Sequence, residues 1–112
     1  MSILDSVKSM LGIPAEHTAF DQQLLIHINS VFSILDQIGP GGYKVADASD
    51  TWEEYLEDKA FEIEDVKSYM YMKVRMLFDP PTTGAGIDAF KEMIKEYEWR
   101  LSVATDPIGV TS

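Results

Sequence analysis

The sequence of 112 residues contains no cysteine, which excludes a disulfide framework and any thiolate metal site. Histidine is nearly as scarce. His17 and His27 are the whole imidazole supply, and they form no H-E-x-x-H or other paired metal motif. Positive charge is short as well: nine Lys and Arg stand against 19 Asp and Glu, a net charge of −10. Such a chain has little with which to grip a phosphate backbone, because each contact needs a cation that displaces counterions. Long apolar runs are missing. Nothing approaches the roughly 20 consecutive apolar residues of a helical membrane span, and Asp5 and Lys8 interrupt the basic-then-apolar order of a secretory signal. The expectation is a soluble protein, cytoplasmic when made, with no membrane partner.

What is present is a core. Hydrophobic residues make up 46% of the chain, enough to pack a single domain of this length. The clearest pattern lies in residues 62–102. Ile87, Phe90, Ile94, Tyr97 and Leu101 recur three or four apart, which puts them on one stripe of a helix, and Met93 widens it. Upstream, Ile63, Val66, Met70, Val74 and Leu77 repeat the spacing. Asp79-Pro80-Pro81 separates the two, because the residue before a proline is pushed out of the α region. Thr82 or Thr83 begins the second helix, which fades near Ser102. Two apolar stripes joined by a short breaker predict an antiparallel helical hairpin.

The rest of the chain is expected to pack on that hairpin. Residues 2–12 predict a short first helix with Ile3, Leu4, Val7, Met10 and Leu11 on its apolar side, started by Ser2 or Asp5 and stopped at Gly12. A longer helix follows from Phe20 to Ile38, capped by Thr18 or Asp21. Leu24, Ile28, Val31, Leu35 and Ile38 form its stripe, and Leu25, Phe32 and Ile34 widen it, as befits a helix with several neighbours at the centre of the domain. Gly39-Pro40-Gly41-Gly42 breaks the chain. A brief extended piece is possible at Tyr43–Val45. Asp50 with Glu53, or Thr51 with Glu54, has capping-box spacing for a helix at 52–58 with Trp52, Tyr55 and Leu56 facing inward. The fold class is therefore all-α: a small bundle of about four to five helices, with hairpin 62–102 packed on helix 20–38. Residues 1–102 form the helical domain and 103–112 an extended C-terminal tail. Val103, Ile108 and Val110 give that tail an apolar character suited to joining another chain; a frayed end is the alternative.

Catalytic chemistry finds no support. No serine sits in a nucleophile elbow and no histidine is placed to activate one. Asp47, Ser49, Thr51 and Asp58 fall on a calcium-loop frame, but Trp52 stands where the loop needs glycine. Gly84-Ala85-Gly86 precedes a helix without a P-loop lysine and reads as a turn between helices. No cofactor is expected. Two features remain. Residues 47–65 hold nine acids and one lysine, either a solvated face or an electrostatic surface. Within it Glu53, Glu54, Glu57 and Asp58 cluster. A small enzyme holding a divalent ion on these carboxylates is a weak rival, since solvated glutamates on a helix are far commoner. Tyr71, Met72 and Trp99 lie off the helical stripes. They either cover other helices of the same domain or anchor an interface, where Trp, Tyr and Met are enriched.

Four strings carry a resemblance: Lys8-Ser9-Met10-Leu11-Gly12-Ile13-Pro14, Ile28-Asn29-Ser30-Val31-Phe32, Lys73-Val74-Arg75-Met76-Leu77-Phe78-Asp79-Pro80-Pro81, and Glu98-Trp99-Arg100-Leu101. In this order and spacing, up to about residue 102, the chain resembles the head–tail connector (adaptor) proteins of long-tailed phages and prophages. The resemblance implies a virion protein with no catalytic residues, present in the host cytoplasm during assembly. It implies a homo-oligomeric ring, twelvefold on the portal protein, that extends the DNA channel and offers a platform to the head-closure (stopper) protein. Double-stranded DNA would pass without specific binding. By position the C-terminal segment, with Ile108 and Val110, would engage the portal. Tyr71, Trp99 and Arg100 are the candidates for subunit or portal contacts, and Glu53, Glu54, Glu57 and Asp58 for channel-facing acids that repel DNA. The rival is an acidic DNA mimic that inhibits a basic protein. Its carboxylates should spread over much of the surface, whereas here they concentrate in one segment.

Overall fold

The chain, as a computed structural model, is described over residues 2–57 and 63–105. Ser2 starts the first helix, α1 (Ile3–Met10): its hydroxyl accepts from the Asp5 N–H at 3.2 Å, and Asp5 sits in the first turn, where the helix dipole favours a carboxylate. The helix ends two residues before the expected Gly12, whose φ of 80° carries the turn. Eight residues are marginal alone. Burial of Ile3, Leu4 and Val7 holds them, at about 1.5–3 kcal/mol per side chain. Met10 is exposed rather than inward. Lys8 takes the inward place, with only 1% of its surface exposed. Its Nζ donates to the Ala15 carbonyl at 2.9 Å and pairs with Asp21 Oδ1 at 2.8 Å.

That pair fixes the start of α2 (Asp21–Ile38). Neither Thr18 nor Asp21 serves as N-cap. The position falls to Phe20, which makes no side-chain cap, and Asp21 instead brings its charge to the first turn. Leu24, Ile28, Val31, Phe32 and Leu35 are buried. Gly39 closes the helix at φ 136°, a left-handed value that favours glycine, and its N–H reaches the Leu35 carbonyl at 3.1 Å.

The stretch after Gly39 contains no strand among the described residues. The Asn29 amide substitutes for one. Its Oδ1 accepts from the Val45 N–H at 2.7 Å and its Nδ2 donates to the Val45 carbonyl at 3.0 Å, which pins the extended piece to α2. Of the two capping-box frames, Thr51 with Glu54 is the one formed, and it starts α3 (Trp52–Leu56). Trp52 and Tyr55 are buried beside Phe32, whose ring centroid lies 4.9 Å from that of Tyr55.

The hairpin is α4 (Ile63–Phe78) and α5 (Gly84–Thr105). α4 packs most extensively on α5 on one side and α2 on the other, while α1 covers α2 and α4. The inner pair is therefore α2 with α4, rather than α2 alone. α4 is buried on two faces. Tyr69, Tyr71 and Arg75 make its contacts with α5. Val66, Met70 and Val74 are buried elsewhere on the helix. Met72 lies about 160° around the axis from Met70 and Val74, yet it is buried too. The stripe assigned to the hairpin thus leaves room for α2, and off-stripe residues meet α5. Leu77, on that stripe, is 52% exposed, and Met93, expected to widen the α5 stripe, is also exposed. Ile94 and Leu101 are buried as expected. α5 continues three residues beyond Ser102, so Val103–Thr105 are helical rather than part of an extended tail.

Candidate interaction surfaces

Asp47 and Asp50 lie in the loop that the calcium frame covered, and both are used by the loop itself. Asp47 accepts from the Ser49 hydroxyl and from its N–H, and these two bonds hold its carboxyl below the usual range. Asp50 Oδ2 accepts from the Ala46 N–H at 2.7 Å and Oδ1 from the Tyr43 hydroxyl at 3.2 Å. Partial burial, that bond and the nearby charge of Glu54 push the Tyr43 phenol up. On α3, Glu54 Oε1 accepts from the Thr51 N–H at 2.9 Å. Glu53, Glu54 and Glu57 are exposed; Asp58 lies outside the described residues. No group of three or more His, Asp or Glu able to hold a metal ion occurs among the described residues.

The histidines are apart from these acids. His17 tilts against Phe20 with centroids 5.5 Å apart, and Phe20 meets Phe78 edge-on at 5.2 Å. His27 is half-buried on α2.

The hairpin forms two open grooves. One, of about 360 Å³, is lined by Ser68, Tyr71, Met72 and Arg75 from α4 and by Phe90, Met93 and Tyr97 from α5. Arg75 Nη1 donates to the Tyr71 hydroxyl at 2.9 Å, and the guanidinium lies 5.2 Å from the Phe90 ring centre. That stacking is favourable for a planar cation. The other groove, of about 320 Å³, is lined by Lys73, Met76 and Leu77 from α4 and by Lys91, Ile94, Lys95 and Glu98 from α5.

The candidate interface residues divide. Tyr71 is half-buried and packs on Phe90 at 6.3 Å, so much of its ring serves its own domain. Arg100 is exposed, pairs with Glu96 at 3.0 Å and stacks over Tyr97 at 5.3 Å. Trp99 projects from α5 with 66% of its surface exposed. Ile108 and Val110 lie outside the described residues. Periodicity on α5 marked Trp99 as off-stripe. Ile26, on the outer face of α2, is nearly as exposed, at 64%. Its signal was present, since it falls between Leu24 and Ile28 and so on the opposite side of the helix.

No helix among the described residues is long and apolar enough to cross a membrane. A family model described as phage connector protein matches residues 3–107. No curated protein and no solved structure matches the chain.

Proposed function

Because the chain belongs to the phage connector protein family, we propose that it is a structural part of the phage head–tail junction that works as an adaptor. Copies assemble into a ring, twelvefold on the portal protein, which prolongs the DNA channel and presents a platform to the head-closure protein. The single observation that carries this reading is the family match, which spans α1 to the end of α5. One feature supports it: the helices carry large exposed apolar side chains of the kind that subunit contacts use. In a ring each subunit needs two different complementary faces, because the contact is head-to-tail and closes by rotation.

In this reading Glu53, Glu54, Glu57 and Asp58 face the passing duplex, where like charge keeps DNA from adhering. Tyr71, Trp99 and Arg100 contribute to subunit or portal contacts, and the C-terminal segment with Ile108 and Val110 reaches the portal. The test is to mix the purified chain with portal rings of the same phage and examine the particles by native mass spectrometry and negative-stain imaging. The expected result is an added ring of density on one end of the portal. A chain that remains monomeric and adds nothing to the portal overturns the reading.

A further inference from the structure

α2 and α5 both pack on α4, and each presents one large apolar side chain on its outer face: Ile26 on α2 and Trp99 on α5. Of the large hydrophobic side chains described, these two are the most exposed. Ile26 lies about 160° around its helix from both Leu24 and Ile28, and Trp99 stands in the same relation to Tyr97 and Leu101. Each therefore points away from the buried stripe of its own helix. Val103 extends the α5 patch by one turn.

Charge decides what can cover the α2 face. From Gln22 to Leu35 the helix contains no Asp, Glu, Lys or Arg, the longest such stretch in a chain of net charge −10. The residues exposed around Ile26 are Gln22, Gln23, Ser30 and Ser33. A second copy carries the same net charge, most of it on residues 47–65, and those segments repel one another. This face is where its approach meets no carboxylate on α2. An apolar centre with a neutral polar surround has the composition of an interface core. Tryptophan is the residue most enriched at the energetic centres of interfaces, and its indole N–H needs an acceptor when covered. Glutamine and serine side chains supply one.

We propose that the outer face of α5 in one copy, centred on Trp99, docks on the outer face of α2 in the next, around Ile26. This rests on the ring reading and names the two faces that meet. Because the faces differ, the contact is head-to-tail, and each copy uses both.

The absence of cysteine makes the test clean, since an introduced thiol is the only one present. Ile26→Cys and Trp99→Cys preparations are mixed and oxidised. The expected product is a disulfide-linked dimer with one chain of each kind, in clear excess over either homodimer. In parallel, Trp99→Ala and Ile26→Asp should each weaken self-association about 30-fold in sedimentation velocity, the loss typical of an interface hot spot. Helical circular dichroism, and the unfolding midpoint at concentrations where the parent chain is monomeric, should stay unchanged, because both side chains are exposed in the single chain. A predominance of homodimers means a symmetric contact and overturns the proposal. Assembly that persists undiminished in both variants also overturns it, while the ring reading stands. If the parent chain does not assemble, alone or on portal rings, and the two cysteine variants yield no mixed dimer, the ring reading falls and this contact with it.

Discussion

Tyr69 of α4 and Glu98 of α5 tie the hairpin together. The buried phenol donates a 2.8 Å hydrogen bond to Glu98 Oε2, across 29 residues of sequence. Elsewhere the two helices meet where Arg75 and Tyr71 pack on Phe90. Tyr69→Phe removes the hydroxyl and keeps the ring. The expected loss is about 1.5 kcal/mol, the scale of a hydrogen bond to a charged acceptor, seen as a lower urea midpoint with an unchanged slope. An unchanged midpoint would mean that water replaces the bond at no cost.

Alkaline pH should act through the same residue. Burial, followed by the Glu98 bond and charge, raises the Tyr69 phenol above its ordinary 10.0, and burial alone raises Tyr55. Below pH 10 folded and unfolded chains both keep these protons, and the stabilisation is fully present. Above it the unfolded chain ionises while the folded one does not. Stability then falls by up to about 1.4 kcal/mol per pH unit for each phenol. Urea unfolding between pH 9 and 11 checks this. Tyr69→Phe and Tyr55→Phe should each flatten the decline, and a parent chain whose stability is level across that range would contradict it.

The Lys8–Asp21 pair should matter more than the exposed pairs. Asp21→Asn leaves an almost fully buried ammonium with the Ala15 carbonyl as its remaining partner, at an expected cost of about 3 kcal/mol or more. Lys8→Met keeps the packing and removes the charge, so it should cost less, about 1 kcal/mol. For comparison, Arg100→Ala breaks an exposed pair with Glu96 and should stay within about 1 kcal/mol. Chemical unfolding of the three variants ranks them; a reversed order would mean that Lys8 reaches water.

The acidic face can be probed without unfolding it. Glu54 belongs to the α3 capping box, so Glu54→Gln mixes a structural effect with an electrostatic one. Glu53→Gln with Glu57→Gln removes two exposed charges and spares the cap. If these acids line the channel, ring assembly is unaffected and DNA leaves the particle more slowly. Ejection at the parent rate would place the acids elsewhere.

Local patterns carried much of the fold. The helices, the breaks at Gly39 and Pro80–Pro81, the Thr51–Glu54 box and the buried positions of α2 follow from spacing and from residues with restricted backbones. Those signals act within a few residues. The errors arose where partners are distant. Lys8 reads as a polar residue on a short helix, and only Asp21 and the Ala15 carbonyl make its burial tolerable. Asn29 reads as helix surface until Val45 lies beside it. Leu77 and Met93 fit their stripes and are nonetheless exposed, each lining an open groove of the hairpin.

The interaction surfaces divide in the same way. Periodicity alone put Trp99 outside the core, and composition alone put the acids in one segment. Spacing puts Ile26 opposite the buried stripe of α2 as well, and the packing leaves it 64% exposed among neutral residues. The amino-acid order therefore determined that the chain is helical, that it breaks at Gly39 and at Pro80–Pro81, and which positions of α2 are buried, since backbone preference and helical spacing are local properties. Tertiary structure decided that α4 is covered on two sides, which polar groups are buried in pairs and which apolar residues remain for another molecule. Those outcomes depend on what lies across the core from a residue, and no short stretch of chain contains that information.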